Sequence, residues 1–145
     1  MEKSKICNII GIILMGALLV LHFMPFWSYD GMATSIQSYV WFPTDHAALE
    51  SYISGQIGGS YSINSIVLMP VIVLVTIVIG IIMCIIMSDN LLVGLLPLGC
   101  GLVGIWGYLS KAAFQLGTNW SLHLIICIIM VVVAALRMLF IAKGE

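Results

Sequence analysis

Charge is missing from four long stretches of this chain, and that absence constrains its fold more than any other feature. No Asp, Glu, Lys or Arg occurs from Ile6 to Tyr29, from Ser51 to Ser88, from Asn90 to Ser110 or from Ala112 to Leu136. A helix of about 20 apolar residues crosses the hydrocarbon core of a bilayer. In lipid each backbone N–H and C=O must be satisfied within the protein, which a helix does by itself. The pattern predicts an all-α membrane protein, a four-transmembrane-helix bundle with helices at about 6–26, 64–87, 91–110 and 120–141. Ser88-Asp89-Asn90 is then a tight turn, and residues 27–63 form the one sizeable loop outside the membrane.

Composition agrees. The chain is 62% hydrophobic and 8% charged, with a mean hydropathy of +1.20, whereas roughly 25% of the residues of a soluble domain are charged. At 145 residues it has the length of a single membrane domain. The net charge of −1 and the lack of any Lys/Arg cluster argue against nucleic acid as a partner. Met1-Glu2-Lys3-Ser4-Lys5 before an apolar run imitates a secretory signal, but no small-x-small cleavage site follows, so the segment reads as an uncleaved first helix. Cys7, Cys84, Cys100 and Cys127 all fall in apolar stretches without a Cys-x-x-Cys pair, and read as small packing residues.

Basic residues near helix ends are retained on the cytoplasmic side. Lys3, Lys5, Arg137 and Lys143 fall at one end of the bundle and Lys111 at the other. The expectation is a multi-pass protein of the cell (plasma) membrane, with its N-terminus and C-terminus cytoplasmic and the long loop outside. Under that topology every aromatic residue except Phe140 lies in the outer half or beyond it. Trp27, Tyr29, Tyr39, Trp41, Phe42 and His46 make the loop a candidate interaction surface.

Helices in lipid approach one another through small residues. Gly99, Gly101, Gly104 and Gly107 mark the third helix as the close-packing one, either within the chain or beside a subunit interface or pore. Pro70 and Pro97 are each expected to free a carbonyl and permit a kink.

In the loop, Phe26–Tyr29 and Ile36–Phe42 carry β-forming residues around an Asp30-Gly31 turn signal and predict a short β-hairpin closed by Pro43. Thr44 or Asp45 fits an N-cap, and Leu49, Tyr52 and Ile53 recur at the spacing of a short amphipathic helix.

His22, His46 and His123 all fall near the outer face, and His46 with Glu50 is one helical turn apart, so this polar cluster could offer ligands to a divalent metal. It could instead serve a lipid- or quinone-active site. No ligand motif, no nucleophile paired with a base and no cofactor motif supports either chemistry. No ionisable residue lies at mid-membrane depth, where a pump or an ion-coupled carrier would keep one.

Four spans with a first outer loop rich in strand-forming aromatics resemble the claudin and tetraspan families in topology, although their outer-loop cysteines have no counterpart here. The leading expectation is a non-enzymatic subunit or accessory protein that binds no cofactor, embedded in the lipid bilayer and working as a homo-oligomer or with another membrane protein through its aromatic loop. The alternative is a homo-oligomeric channel or facilitator with the Gly-rich third helix near the pore.

Overall fold

The computed structural model of the protein describes residues 2–29, 32–41, 46–58 and 67–145, and of Tyr29, Met32, Tyr39 and His46 the backbone alone. Four of its helices are long and apolar enough to cross a membrane. They are α1 (Lys3–Phe23), α4 (Leu68–Ile86), α5 (Leu95–Ser110), which a 3-10 turn over Leu91–Gly94 extends at its start, and α7 (Trp120–Ala142). Between them lie β1 (Trp27–Tyr29), β2 (Met32–Thr34), α2 (Ile36–Trp41), α3 (His46–Ile57) and α6 (Ala112–Gln115). The protein is thus an all-α four-helix membrane bundle with a two-stranded sheet and short helices at one end.

The long helices form a closed ring in the order α1, α4, α5, α7, each packed against the two beside it. Their outer faces carry Ile, Leu and Val, such as Ile13, Ile85, Leu102 and Ile125, all more than half exposed, as lipid contact demands. The inner faces carry Met15, Leu18, Val73, Ile77, Cys100, Cys127, Met130 and Ala134, all buried. All four cysteines are buried and free, as expected of packing residues.

Glycine sets the closeness of α5 to its neighbours. A Cβ on Gly101 would lie 2.7 Å from Val131 Cγ2 and 2.8 Å from the Cys127 carbonyl oxygen, and one on Gly104 would overlap Cys127 Sγ. On Gly107 it would lie 2.6 Å from Met69 Cγ. These three residues therefore seat α7 and α4 within the chain. Gly99 differs from them, since a Cβ there would meet nothing within 4 Å.

Pro70 is the third residue of α4, where first-turn N–H groups have no partner within the helix and proline is tolerated. Pro97 is the third residue of α5 and follows the 3-10 turn over Leu91–Gly94, so it stands where that turn passes into the α-helix.

The end that carries the chain termini is closed by Arg137, which is only 1% exposed. Its Nε donates to Asn8 Oδ1 (3.0 Å), Nη1 to the Asn90 carbonyl (3.1 Å) and Nη2 to the Ser88 carbonyl (2.9 Å). Asn8 Nδ2 donates in turn to the Cys84 carbonyl (2.9 Å). Ser88 and Asn90 follow directly on the C-terminus of α4, where carbonyls lack helical partners and the helix dipole is negative. The guanidinium matches both conditions and joins α1, α4 and α7 at one point. The expected turn at Ser88-Asp89-Asn90 is present.

At the opposite end the hairpin pairs Trp27 with Thr34, Ser28 with Ala33 and Tyr29 with Met32. The second strand is thus at 32–34, not at 36–42. Two residues join the strands, and a loop that short makes pairing resume at once. Helix α2 takes the segment expected to be a strand. Ser35 Oγ accepts the Ser38 N–H at 3.1 Å, an N-cap that outweighs the β-propensity of the residues after it. The Asp30-Gly31 turn, Phe42, Pro43, the Thr44 and Asp45 caps and residues 59–66 lie outside the described residues. The helix expected around Leu49, Tyr52 and Ile53 is α3, with Leu49 and Ile53 fully buried.

Candidate functional site

A second cluster of buried polar residues is brought together at the hairpin end. His22 is in the last turn of α1, Tyr108 in the last turn of α5, His123 in the first turn of α7 and Gln37 in the first turn of α2. All four are buried: exposure is 0% at Tyr108 and Gln37, 1% at His22 and 2% at His123. Tyr108 Oη lies 2.8 Å from His123 Nδ1 and 3.3 Å from His22 Nε2. Gln37 Nε2 lies 2.9 Å from His22 Nδ1 and donates to the Pro70 carbonyl at 2.9 Å. Gln37 Oε1 accepts the Trp41 indole N–H at 2.8 Å.

Bond polarity is fixed from both ends of this chain. The indole can only donate and the Pro70 carbonyl can only accept, so the orientation of the Gln37 amide is settled. One amide hydrogen serves Pro70 and the other serves His22, whose Nδ1 must therefore accept. The hydrogen of neutral His22 sits on Nε2 and points to Tyr108 Oη, which passes its own hydrogen to His123 Nδ1. Every step has one donor and one acceptor with both imidazoles neutral.

Aromatic packing roofs this chain. Phe26 stands edge-on to Trp27 (4.9 Å between centroids, 83°) and 5.1 Å from the His123 ring, and Trp27 stacks on Phe114 at 5.9 Å and 26°. Trp27 donates its indole N–H to the Ala113 carbonyl at 2.9 Å. The loop after α6 closes over Phe26, with Thr118 N–H bonded to the Phe26 carbonyl at 2.6 Å. A Cβ on Gly117 would overlap the Phe26 ring, so glycine is required there.

The candidate surface residues separate sharply. Trp27 is fully buried and belongs to the core of the cap, which corrects its place in an interaction surface: the ring fills the space between the hairpin and α6. Trp41 is 48% exposed. Tyr29 lies in β1, Tyr39 in α2 and His46 at the start of α3, and their side chains, like the whole of Phe42, lie outside the described residues. His22 and His123 converge through Tyr108, with ring centroids 5.9 Å apart. Glu50 is half-buried on α3.

Among the described residues no group of three or more His, Cys, Asp or Glu is placed to hold a metal ion. Both nitrogens of His22 and one of His123 already have hydrogen-bonding partners. The two imidazoles are so deeply buried that no solute reaches them in this conformation.

Gln37, Tyr108, Asn8 and Arg137 did not stand out in the sequence as site residues. Asn8 and Arg137 had a signal, since each is a strongly polar residue inside an apolar span. Gln37 had none, because it lies in a loop where glutamine is ordinary.

No protein-family model, no curated protein and no solved structure matches the chain.

Proposed function

We propose that this chain is a non-enzymatic subunit or accessory protein of an assembly in the plasma membrane, and that its hairpin-end cap is the contact surface. The observation that carries the reading is the setting of Trp41. A tryptophan that merely anchors a helix at the membrane interface turns its N–H toward water and headgroups. Here the N–H is turned inward to Gln37 at 2.8 Å while 48% of the residue remains exposed. The face presented outward is hydrocarbon on a fixed support, which suits an apolar contact from another membrane protein.

The orientation that goes with this reading keeps both termini in the cytoplasm and the cap outside, because Lys3, Lys5, Arg137 and Lys143 share the terminal end. A conduit beside the Gly-rich helix is less favoured, since Gly101, Gly104 and Gly107 are taken up by contacts to Cys127, Val131 and Met69.

The test is the mass and composition of the complex extracted in mild detergent, for the parent protein and for Trp41→Ala. The expected result is a partner, or a second copy, that is lost from Trp41→Ala while the monomer stays folded. A parent protein that runs as a bare monomer, or a complex indifferent to Trp41, refutes the reading. Ion flux in liposomes containing the purified protein would favour the channel instead.

A further inference from the structure

We propose that the Gln37–His22 contact is an acid-released latch: protonation of His22 frees α2, and Trp41 with it, from the bundle. The inference adds regulation to the surface proposed above and rests on that reading for its biological consequence alone.

The argument is one of donors and acceptors. Nδ1 of His22 accepts from Gln37 Nε2 at 2.9 Å. An imidazolium has a hydrogen on both nitrogens and no lone pair to offer, so charging His22 sets two donors against each other in a site 1% exposed. Gln37 cannot relieve the clash by turning its amide over. With Oε1 toward His22, the Trp41 indole would face an NH2 group and the Pro70 carbonyl would lose its donor. Either way α2 loses bonds that hold it to α1 and α4. Once α2 has moved, His22 can keep its proton in contact with water.

His123 is different, although it shares the chain. If its Nδ1 gains a hydrogen, the Tyr108 hydroxyl can rotate and accept from both imidazoles through its two lone pairs. The Tyr108 hydrogen then loses its His123 acceptor, a cost confined to Tyr108 that leaves Gln37 undisturbed. The latch is therefore at His22.

Among the described residues, the hydrogen-bonding partners of His22 include no carboxylate that would neutralise an imidazolium. α7 presents His123 to His22, α5 presents Tyr108, α2 presents Gln37 and α4 presents the Pro70 carbonyl. Of the titratable groups on these helices whose side chains are described, the nearest others are Cys100, two turns deeper than Tyr108, and Cys127, one turn deeper than His123. Tyr39, two residues after Gln37 on α2, is described by its backbone alone. The hydrogen bonds of His22, Tyr108 and His123 given above are made with one another and with Gln37, and none of those partners is a carboxylate or an amine.

The experiment follows the Trp41 indole N–H by NMR in lipid nanodiscs, assigned by its loss in Trp41→Phe, from about pH 8 to about pH 4, the span in which imidazoles titrate. The Trp41–Gln37 bond lies within α2, and six residues are too few to stay helical once released. The expected result is therefore a shift of the Trp41 resonance to that of a water-exposed indole, with the ratio of released to latched α2 rising about tenfold per pH unit, as one proton bound only in the open state requires. The Trp106 resonance, on the lipid-facing side of α5, should stay in place. In Gln37→Glu a carboxylate accepts from both Trp41 and the imidazolium, at the cost of the bond to the Pro70 carbonyl. At acid pH its Trp41 resonance should then stay at the latched position where the parent moves to that of a water-exposed indole, so that the response is lost. His22→Asn should lose it too, and if that variant does not fold, Gln37→Glu decides. A Trp41 resonance that never moves in the parent overturns the proposal, as does a response that survives unchanged in either variant. The readout needs no partner, so a failed latch and a missing partner are distinguished.

Discussion

Replacing Arg137 with methionine tests whether the terminal end of the bundle is held by a buried guanidinium. Three oxygens lose their donor: Asn8 Oδ1 and the carbonyls of Ser88 and Asn90. Asn8 is 6% exposed, so its oxygen stays unmet, at a cost of about 1–3 kcal/mol. Ser88 and Asn90 are half-buried and recover water, so those bonds cost less, about 0.5 kcal/mol each. Loss of a cation beside the C-terminal dipole of α4 adds about 0.3–1 kcal/mol. The sum is about 3 kcal/mol. Measured interhelical hydrogen bonds in membrane proteins average about 0.6 kcal/mol, which sets a floor near 2 kcal/mol for three of them. Arg137→Lys keeps the charge but not the three-pronged fork and should recover about half of the loss. The assay is reversible unfolding in detergent micelles, titrated with a denaturing detergent and followed by circular dichroism. Arg137 and Asn8 are in direct contact, so the double variant Asn8→Ala/Arg137→Met should show a coupling of about 1 kcal/mol. An Arg137→Met protein within about 0.5 kcal/mol of the parent, or zero coupling, would refute a clasp and place the guanidinium in water.

Gly101→Ala should destabilise the bundle by about 1–3 kcal/mol, because the added methyl meets the Cys127 backbone at 2.8 Å. Gly99→Ala should be neutral or stabilising by up to about 1 kcal/mol, since nothing lies within 4 Å of it; the same unfolding titration compares the two. Ser35→Ala removes the cap of α2 and should cost about 1 kcal/mol, visible as faster hydrogen exchange across Ile36–Trp41 while α1 is unchanged. At neutral pH, 15N NMR of labelled imidazoles should find the hydrogen on Nε2 in both His22 and His123, and a hydrogen on Nδ1 of His22 would contradict the deduced bond order. Leu49→Ala should loosen α3 by about 2–5 kcal/mol, measured as protease sensitivity confined to the segment between α1 and α4.

Depth was legible in the sequence and rotation was not. Residue number along a helix of known ends fixes how far a side chain sits from the membrane surface, at 1.5 Å per residue. That was enough to put His22 and His123 at one level. Whether they face each other depends on helix phase, which the packing of α5 and α7 decides. The same distinction separates Gly99 from Gly101: two residues rotate by about 200°, so neighbouring glycines of one run point to opposite sides. The second strand falls at 32–34 and not at 36–42 because turn length and the Ser35 cap outweigh the β-preference of the later residues. Trp27 and Trp41 could not be told apart, since an aromatic that roofs a core and one that faces lipid have the same composition.

The bundle is tied by polar bonds at its two ends and by soft or small residues between them. Met15, Met130, Cys100, Cys127 and Ala134 fill the middle, where hydrophobic attraction does not draw helices together in lipid and close packing supplies most of the association, aided by the long contact of Cys100 Sγ with the Val73 carbonyl at 4.0 Å. Parting the four long helices would require breaking the Arg137 cluster or the Tyr108 cluster as well as the glycine contacts. Helix α2 is held to the bundle more lightly, by the buried Ile36 and by the two bonds of Gln37 to His22 and to the Pro70 carbonyl. With only six residues, it has too few turns to be stable alone. Local opening is cheapest where buried contacts are fewest, so motion in this protein should begin at α2 and leave the membrane-spanning ring intact.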